Sequence, residues 1–167
     1  MKKNKYVLLP LLALILWRCG KDSDPAPEGC TVVEQDIPSG DSAQLFVPNA
    51  FSPNGDGLND RLGVLTKDIA SLSFIVYDSK NNIVFSTTQL QQYWQAPTPD
   101  ELTIYHYSVQ ATTKTGNPVA RCGTVYALSC VPMYVSRANL IFADQYDPNM
   151  PGGYLKGTSL EMLPDCN

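Results

Sequence analysis

Beyond residue 30, no stretch keeps apolar residues at helical spacing for three turns. Short runs rich in Val, Ile, Thr and Tyr recur instead, separated by Gly, Pro, Asn and Asp, which is strand punctuation. The runs Thr31–Gln35, Gln44–Val47, Leu72–Tyr77, Ile83–Ser86, Thr103–Thr112, Val119–Ser129 and Tyr134–Phe142 are expected to be strands. Tyr105, Tyr107 and Val109 alternate with His106 and Ser108, the pattern of a half-buried antiparallel strand with His106 facing solvent. Asp78–Asn82 and Lys114–Pro118 supply residues that tolerate tight turns and are expected to close hairpins. About seven short strands without helices predict an all-β fold: an antiparallel, immunoglobulin- or fibronectin-like sandwich over residues 30–143. Asp144–Gly153 is turn-forming throughout and Tyr154–Asn167 has no clear period, so 144–167 is expected to be an irregular C-terminal extension.

The amino terminus reads differently. Lys2, Lys3 and Lys5 precede an uncharged apolar run from Tyr6 to Trp17, too short for the roughly 20 residues of a membrane-spanning helix and of signal-peptide length. Cys19 follows directly, after Trp17 and Arg18, so residues 1–18 resemble a bacterial lipoprotein signal in which Cys19 would be lipidated. Residues 19–29 are polar and too poor in apolar groups to fold, an acidic tether. An acidic cluster just after such a cysteine is similar to the surface-export signals of lipoproteins in gliding bacteria that use type IX secretion. The expected address is therefore the outer membrane, lipid-anchored and at the cell surface, with the periplasmic face as the alternative.

Four cysteines remain: Cys30, Cys122, Cys130 and Cys166. An even number in an exported chain predicts two disulfides. Cys122 to Cys130 reads as one strand. Eight steps at about 3.3 Å hold its ends roughly 26 Å apart, whereas a disulfide needs Cα atoms within about 7 Å. Cys122 and Cys130 should not pair with each other, which leaves Cys30 and Cys166 as their partners, one each.

Charge narrows the function. Residues 1–18 hold four cations and no acid, so the remainder carries eight Lys and Arg against 16 Asp and Glu. An acidic body without a basic stripe is a poor nucleic-acid binder. His106 is the single histidine, which argues against a histidine triad or a multi-histidine zinc site. No Gly-x-Ser-x-Gly elbow or phosphate-binding loop occurs. Asp100-Glu101 are adjacent between Pro99 and a strand and read as solvated turn charge rather than a glycosidase pair.

The most informative stretch is Phe46-Val-Pro-Asn-Ala-Phe-Ser-Pro-Asn-Gly-Asp-Gly-Leu-Asn-Asp60. From Pro48 to Asp60 it meets every position of PNAF-[ST]-PNGDG-x-ND, and so resembles the opening of the gliding motility-associated C-terminal domain, the type IX secretion type B sorting domain. The resemblance runs over 46–129: Val76-Tyr77-Asp78 with Val84-Phe85 sits at the family's hairpin, Trp94 at its WDG and Tyr105-His106-Tyr107 at its GxYxY strand. Ser79-Lys80-Asn81 and Gln95-Ala96 depart from the family pattern at the turn and after the tryptophan. The resemblance implies a β-sandwich and a role as an export address, although here nearly forty residues follow the module.

Within that stretch Asn54, Asp56, Asn59 and Asp60 place oxygens around Gly55 and Gly57, a fragment of a Ca²⁺ loop without its distal bidentate Glu. An Asx-rich turn capping its own backbone is the simpler reading. Tyr93-Trp94 could stack on a sugar ring, with packing in the sandwich as the alternative for Trp94. The resulting expectation is a non-enzymatic surface lipoprotein acting as a structural or interaction module, with an envelope protein, an adhesin or a glycan as partner. A type IX sorting module and a small carbohydrate-binding accessory protein are the alternatives.

Overall fold

The computed structural model describes residue 30 and residues 32–167. The expected signal peptide (1–18), the lipidation site Cys19, the tether (19–29) and Thr31 lie outside the described residues.

Seven strands form two sheets: β1 (Gln44–Phe46), β2 (Ala50–Phe51), β3 (Leu65–Lys67), β4 (Ile69–Tyr77), β5 (Ile83–Thr87), β6 (Leu102–Thr113) and β7 (Pro118–Leu128). β1 and β3 pair as a two-stranded sheet, and the other five run in the order β2-β7-β6-β4-β5. The long ladder is β6 against β7, antiparallel from Leu102↔Leu128 to Thr112↔Pro118. One side of this sheet carries the main core, in which Phe51, Leu62, Phe74, Val76, Val109 and Val125 are sealed from solvent. Ala43, Leu45, Val47 and Val64, from β1, β3 and their flanks, close that core from the opposite side. The period-2 alternation read from β6 is realised in part: Tyr105, Val109 and Ala111 are buried in the core, while Ser108, read on the opposite face, is buried as well.

The differences are local and have physical causes. The sheet is mixed rather than purely antiparallel, because β2 pairs in parallel with β7, Ala50 opposite Tyr126 and Phe51 opposite Ala127. β2 and β3 are two and three residues long, too short to show a period. The expected strand Thr31–Gln35 shrinks, over its described part, to a single bridge between Gln35 and Ala120. The expected strand Tyr134–Phe142 is instead irregular, with a 3-10 turn at Arg137–Asn139. His106 is half-buried, its Nδ1 lying 3.3 Å from the Thr124 hydroxyl, rather than open to solvent.

The irregular part consequently begins at Cys130 rather than at Asp144. Val131, Leu140, Phe142 and Leu163 join Ala50 and Leu128 in a second, smaller core, with Leu102 and Tyr126 packed against it. Leu102, Tyr126 and Leu128 alternate along β6 and β7 out of step with the main-core residues, so the extension covers the other face of the sheet at one end.

Two disulfides tie both described ends down. Cys30 pairs with Cys122 at a Cα separation of 5.5 Å, and Cys130 with Cys166 at 5.1 Å. Cys122 and Cys130 stay apart, as the rise of a strand requires.

Candidate interaction site: the PNGDG loop and the C-terminal extension

The loop after β2 is built by its own side chains. Gly55 and Gly57 adopt φ of 83° and 94°, in the left-handed region that glycine enters without Cβ cost. This directs their N–H groups inward, where Asp60 accepts both: Gly55 N–H at 2.6 Å on one carboxylate oxygen and Gly57 N–H at 2.8 Å on the other. Asn54 Oδ1 accepts the Asp56 N–H at 3.0 Å and Asp56 Oδ1 accepts the Leu58 N–H at 2.8 Å, two successive Asx turns. Three of the four calcium candidates, Asn54, Asp56 and Asp60, thus have oxygens engaged by the loop's own backbone. Among the described residues, no group of three or more His, Cys, Asp and Glu side chains converges as a metal cluster.

The fourth, Asn59, turns outward at φ 51°. Its Nδ2 donates to Glu161 at 3.2 Å and its Oδ1 accepts the Asp144 N–H at 3.1 Å, so it holds two points of the extension at once. Asn49 does the same at the other end of the motif. Its N–H donates to the Ile141 carbonyl at 3.0 Å, its Oδ1 accepts the Ile141 N–H at 2.7 Å and its Nδ2 donates to the Asn139 carbonyl at 2.9 Å. The Asn49 carbonyl accepts the Tyr126 N–H at 2.9 Å, linking this clasp to β7. Asn49 was legible only as one letter of the motif, and Glu161 and Asp144 carry no sequence signal because the tail has no period.

Electrostatics differ across the clasp. Burial pushes the Glu161 carboxyl up; the hydrogen bond from Asn59 opposes this, and the nearby Asp56, Asp144 and Asp60 carboxylates add to it. Asp144 spends its carboxylate on Ser159 Oγ and the Leu160 N–H. Beside this region the extension forms an open pocket of about 240 Å³, lined by Val131, Leu140, Phe142 and Leu163 together with Arg137 and Lys156.

The two aromatic candidates separate. Trp94 is bridged to Leu62 through both backbone N–H groups and packs its ring on Phe51, Phe85 and Tyr105, the last edge-on at 4.9 Å between centroids. Tyr93 is 40% exposed and packs against Gly63, where a Cβ would fall 2.0 Å from its ring. The two rings do not form one platform: Trp94 serves the sandwich and Tyr93 the surface.

Neither a curated protein nor a solved structure matches this chain. One family model matches, the CHU_C type IX secretion signal domain, over residues 45–126, which is the segment from β1 into β7. Residues 45–126 match the type IX secretion signal domain family, and this relates the chain to type IX secretion.

Proposed function

We propose that the chain is a non-enzymatic, lipid-anchored surface lipoprotein in which the type IX signal domain serves as a structural and interaction module. One observation carries this reading. The family motif, through Asn49 and Asn59, is bonded to residues 139–161 of the same chain, so these two polar side chains are engaged by the extension rather than offered to a transport partner. Cys130–Cys166 locks that arrangement. In this reading Cys19 carries the acyl chains, which hold the body to the outer membrane much more firmly than one chain would. An envelope protein, an adhesin or a glycan is the partner class, and nucleic acid is not. Cys19→Ser followed by fractionation tests the anchor: the wild-type chain is expected in the outer-membrane fraction and accessible to external protease, and the variant in the soluble fraction. A variant that stays with the membrane refutes it.

The family match itself favours a second reading, in which the domain is an export address. A reporter fused to residues 45–167 then crosses the outer membrane; a reporter held in the periplasm excludes that role.

A further inference from the structure

From Cys130 to Asn167 the chain holds two cations, Arg137 and Lys156, and both stand on the wall of the same open pocket, beside the apolar side chains of Val131, Leu140, Phe142 and Leu163. Arg137 is already paired, its guanidinium donating to Asp165 at 2.6 Å. Lys156 is exposed and, among the described residues, pairs with no carboxylate. The neutral polar side chains on the wall are spent within the chain. Gln145 bonds the Phe142 N–H and the Leu155 carbonyl, and the Ser159 hydroxyl donates to Asp144.

One carboxylate completes the lining. Glu161 accepts a hydrogen bond from Asn59 but pairs with no Lys or Arg among the described residues, and Asp56, Asp60 and Asp144 surround it with like charge. The pocket therefore presents an ammonium, a carboxylate in a negative field and an apolar surface. A purely anionic ligand meets repulsion at Glu161, and a purely cationic one meets it at Lys156. A ligand that complements all three carries a carboxylate, an ammonium and an apolar group on one small frame. The volume of about 240 Å³ is that of about eight waters at about 30 Å³ each, which suits a single amino acid rather than a peptide chain.

We infer that this pocket binds a free α-amino acid with an apolar side chain: the side chain against Leu140, Phe142 and Leu163, the carboxylate at Lys156 and the ammonium at Glu161. The site lies in the extension, outside residues 45–126, and does not depend on how the chain is anchored.

Calorimetric titration of the full-length chain in lipid nanodiscs, with empty nanodiscs as the blank, tests it at pH about 7, where α-amino groups are charged. L-Leucine is expected to bind with a dissociation constant of roughly a millimolar or tighter, in keeping with its about nine non-hydrogen atoms. N-acetyl-leucine lacks the ammonium and leucinamide lacks the carboxylate; each should bind roughly tenfold more weakly, and glycine should not bind. Lys156→Gln, at an exposed position, should abolish the difference between leucine and leucinamide while keeping that between leucine and N-acetyl-leucine. Glu161→Gln should do the reverse. Leucine that fails to bind the wild type at about 10 mM overturns the inference. So does a capped compound or glycine that binds the wild type as tightly as leucine, or a pair of variants that weaken every ligand alike.

Discussion

The body and the extension of this molecule are stabilised by different means. The body rests on backbone ladders: β6 pairs with β7 along eleven residues and with β4 on its other side, and the rings of Phe74, Phe85, Tyr105 and Trp94 pack against one another on the core face. The extension, from Cys130 to Cys166, has no strand. Its order comes from 3-10 turns, from side-chain-to-backbone bonds such as those of Asn49, Asp144 and Gln145, and from six buried apolar side chains that include Ala50 and Leu128 of the body. A ladder supports itself residue by residue, whereas the extension holds its form only while it touches the sheet. It should therefore be the first part to open.

The largest expected effect separates the two regions directly. Removing the Cys130–Cys166 link by a double Cys→Ser change should cost about 2–4 kcal/mol of the extension's stability. Hydrogen exchange should show amides of 131–166 opening while the β4–β6 and β6–β7 ladders stay protected. Equal loss of protection in both regions would mean that they form one cooperative unit.

A smaller effect is expected in the loop that joins them. Asp60→Ala returns the Gly55 and Gly57 N–H groups to water and should lower stability by about 1 kcal/mol, the net worth of exposed hydrogen bonds. If those bonds are sufficient in themselves, adding a Ca²⁺ chelator to the wild type leaves its melting midpoint unchanged; a midpoint that falls with chelator would make the loop a cation site, since an ion bound only to the folded state must add stability.

The smallest effect concerns pH, where the two regions carry opposite signs. Hydrogen bonds from Thr115, Asn117 and the Ala43 N–H hold the Asp41 carboxyl, on the body, well below the usual carboxylate range. A lowered value stabilises the fold above the ordinary Asp range, and that contribution disappears as pH falls through the folded value. Glu161, on the extension, is raised, so its folded form binds the proton more tightly; stability grows as pH falls from the raised value toward the ordinary one. Glu161→Gln should therefore melt slightly higher than wild type at pH about 7, with the difference vanishing below pH about 4. A constant offset across that range would remove the titration of Glu161 from the account.

Much of the body was legible in the chain. β4, β5, β6 and β7 were read within a few residues, because strands of five to twelve residues leave an alternation that survives in sequence. The motif from Pro48 to Asp60 announced a family, and its Asx-rich turn followed from residue type. The roles within it were less visible. Asn54 and Asp60 serve their neighbours, while Asn49 and Asn59 reach partners 92 and 102 residues away. Trp94 and Tyr93, adjacent in sequence, go to the core and to the surface because the bridge to Leu62 fixes which way the chain faces.

What the amino-acid sequence determined by itself is what depends on near neighbours: strand periodicity, hairpin turns, and a strand too extended for Cys122 to meet Cys130. The tertiary structure alone decided what depends on distant segments meeting. These are the parallel seat of β2 on β7, the choice of Cys30 for Cys122 and of Cys166 for Cys130, and the packing of a tail without any period onto the far face of the sheet. Local rules act through the backbone dihedrals of adjacent residues and leave a trace in the order of letters. Contacts across ninety residues depend on which surfaces are left uncovered once the sheet has formed, and no short stretch of the chain records that.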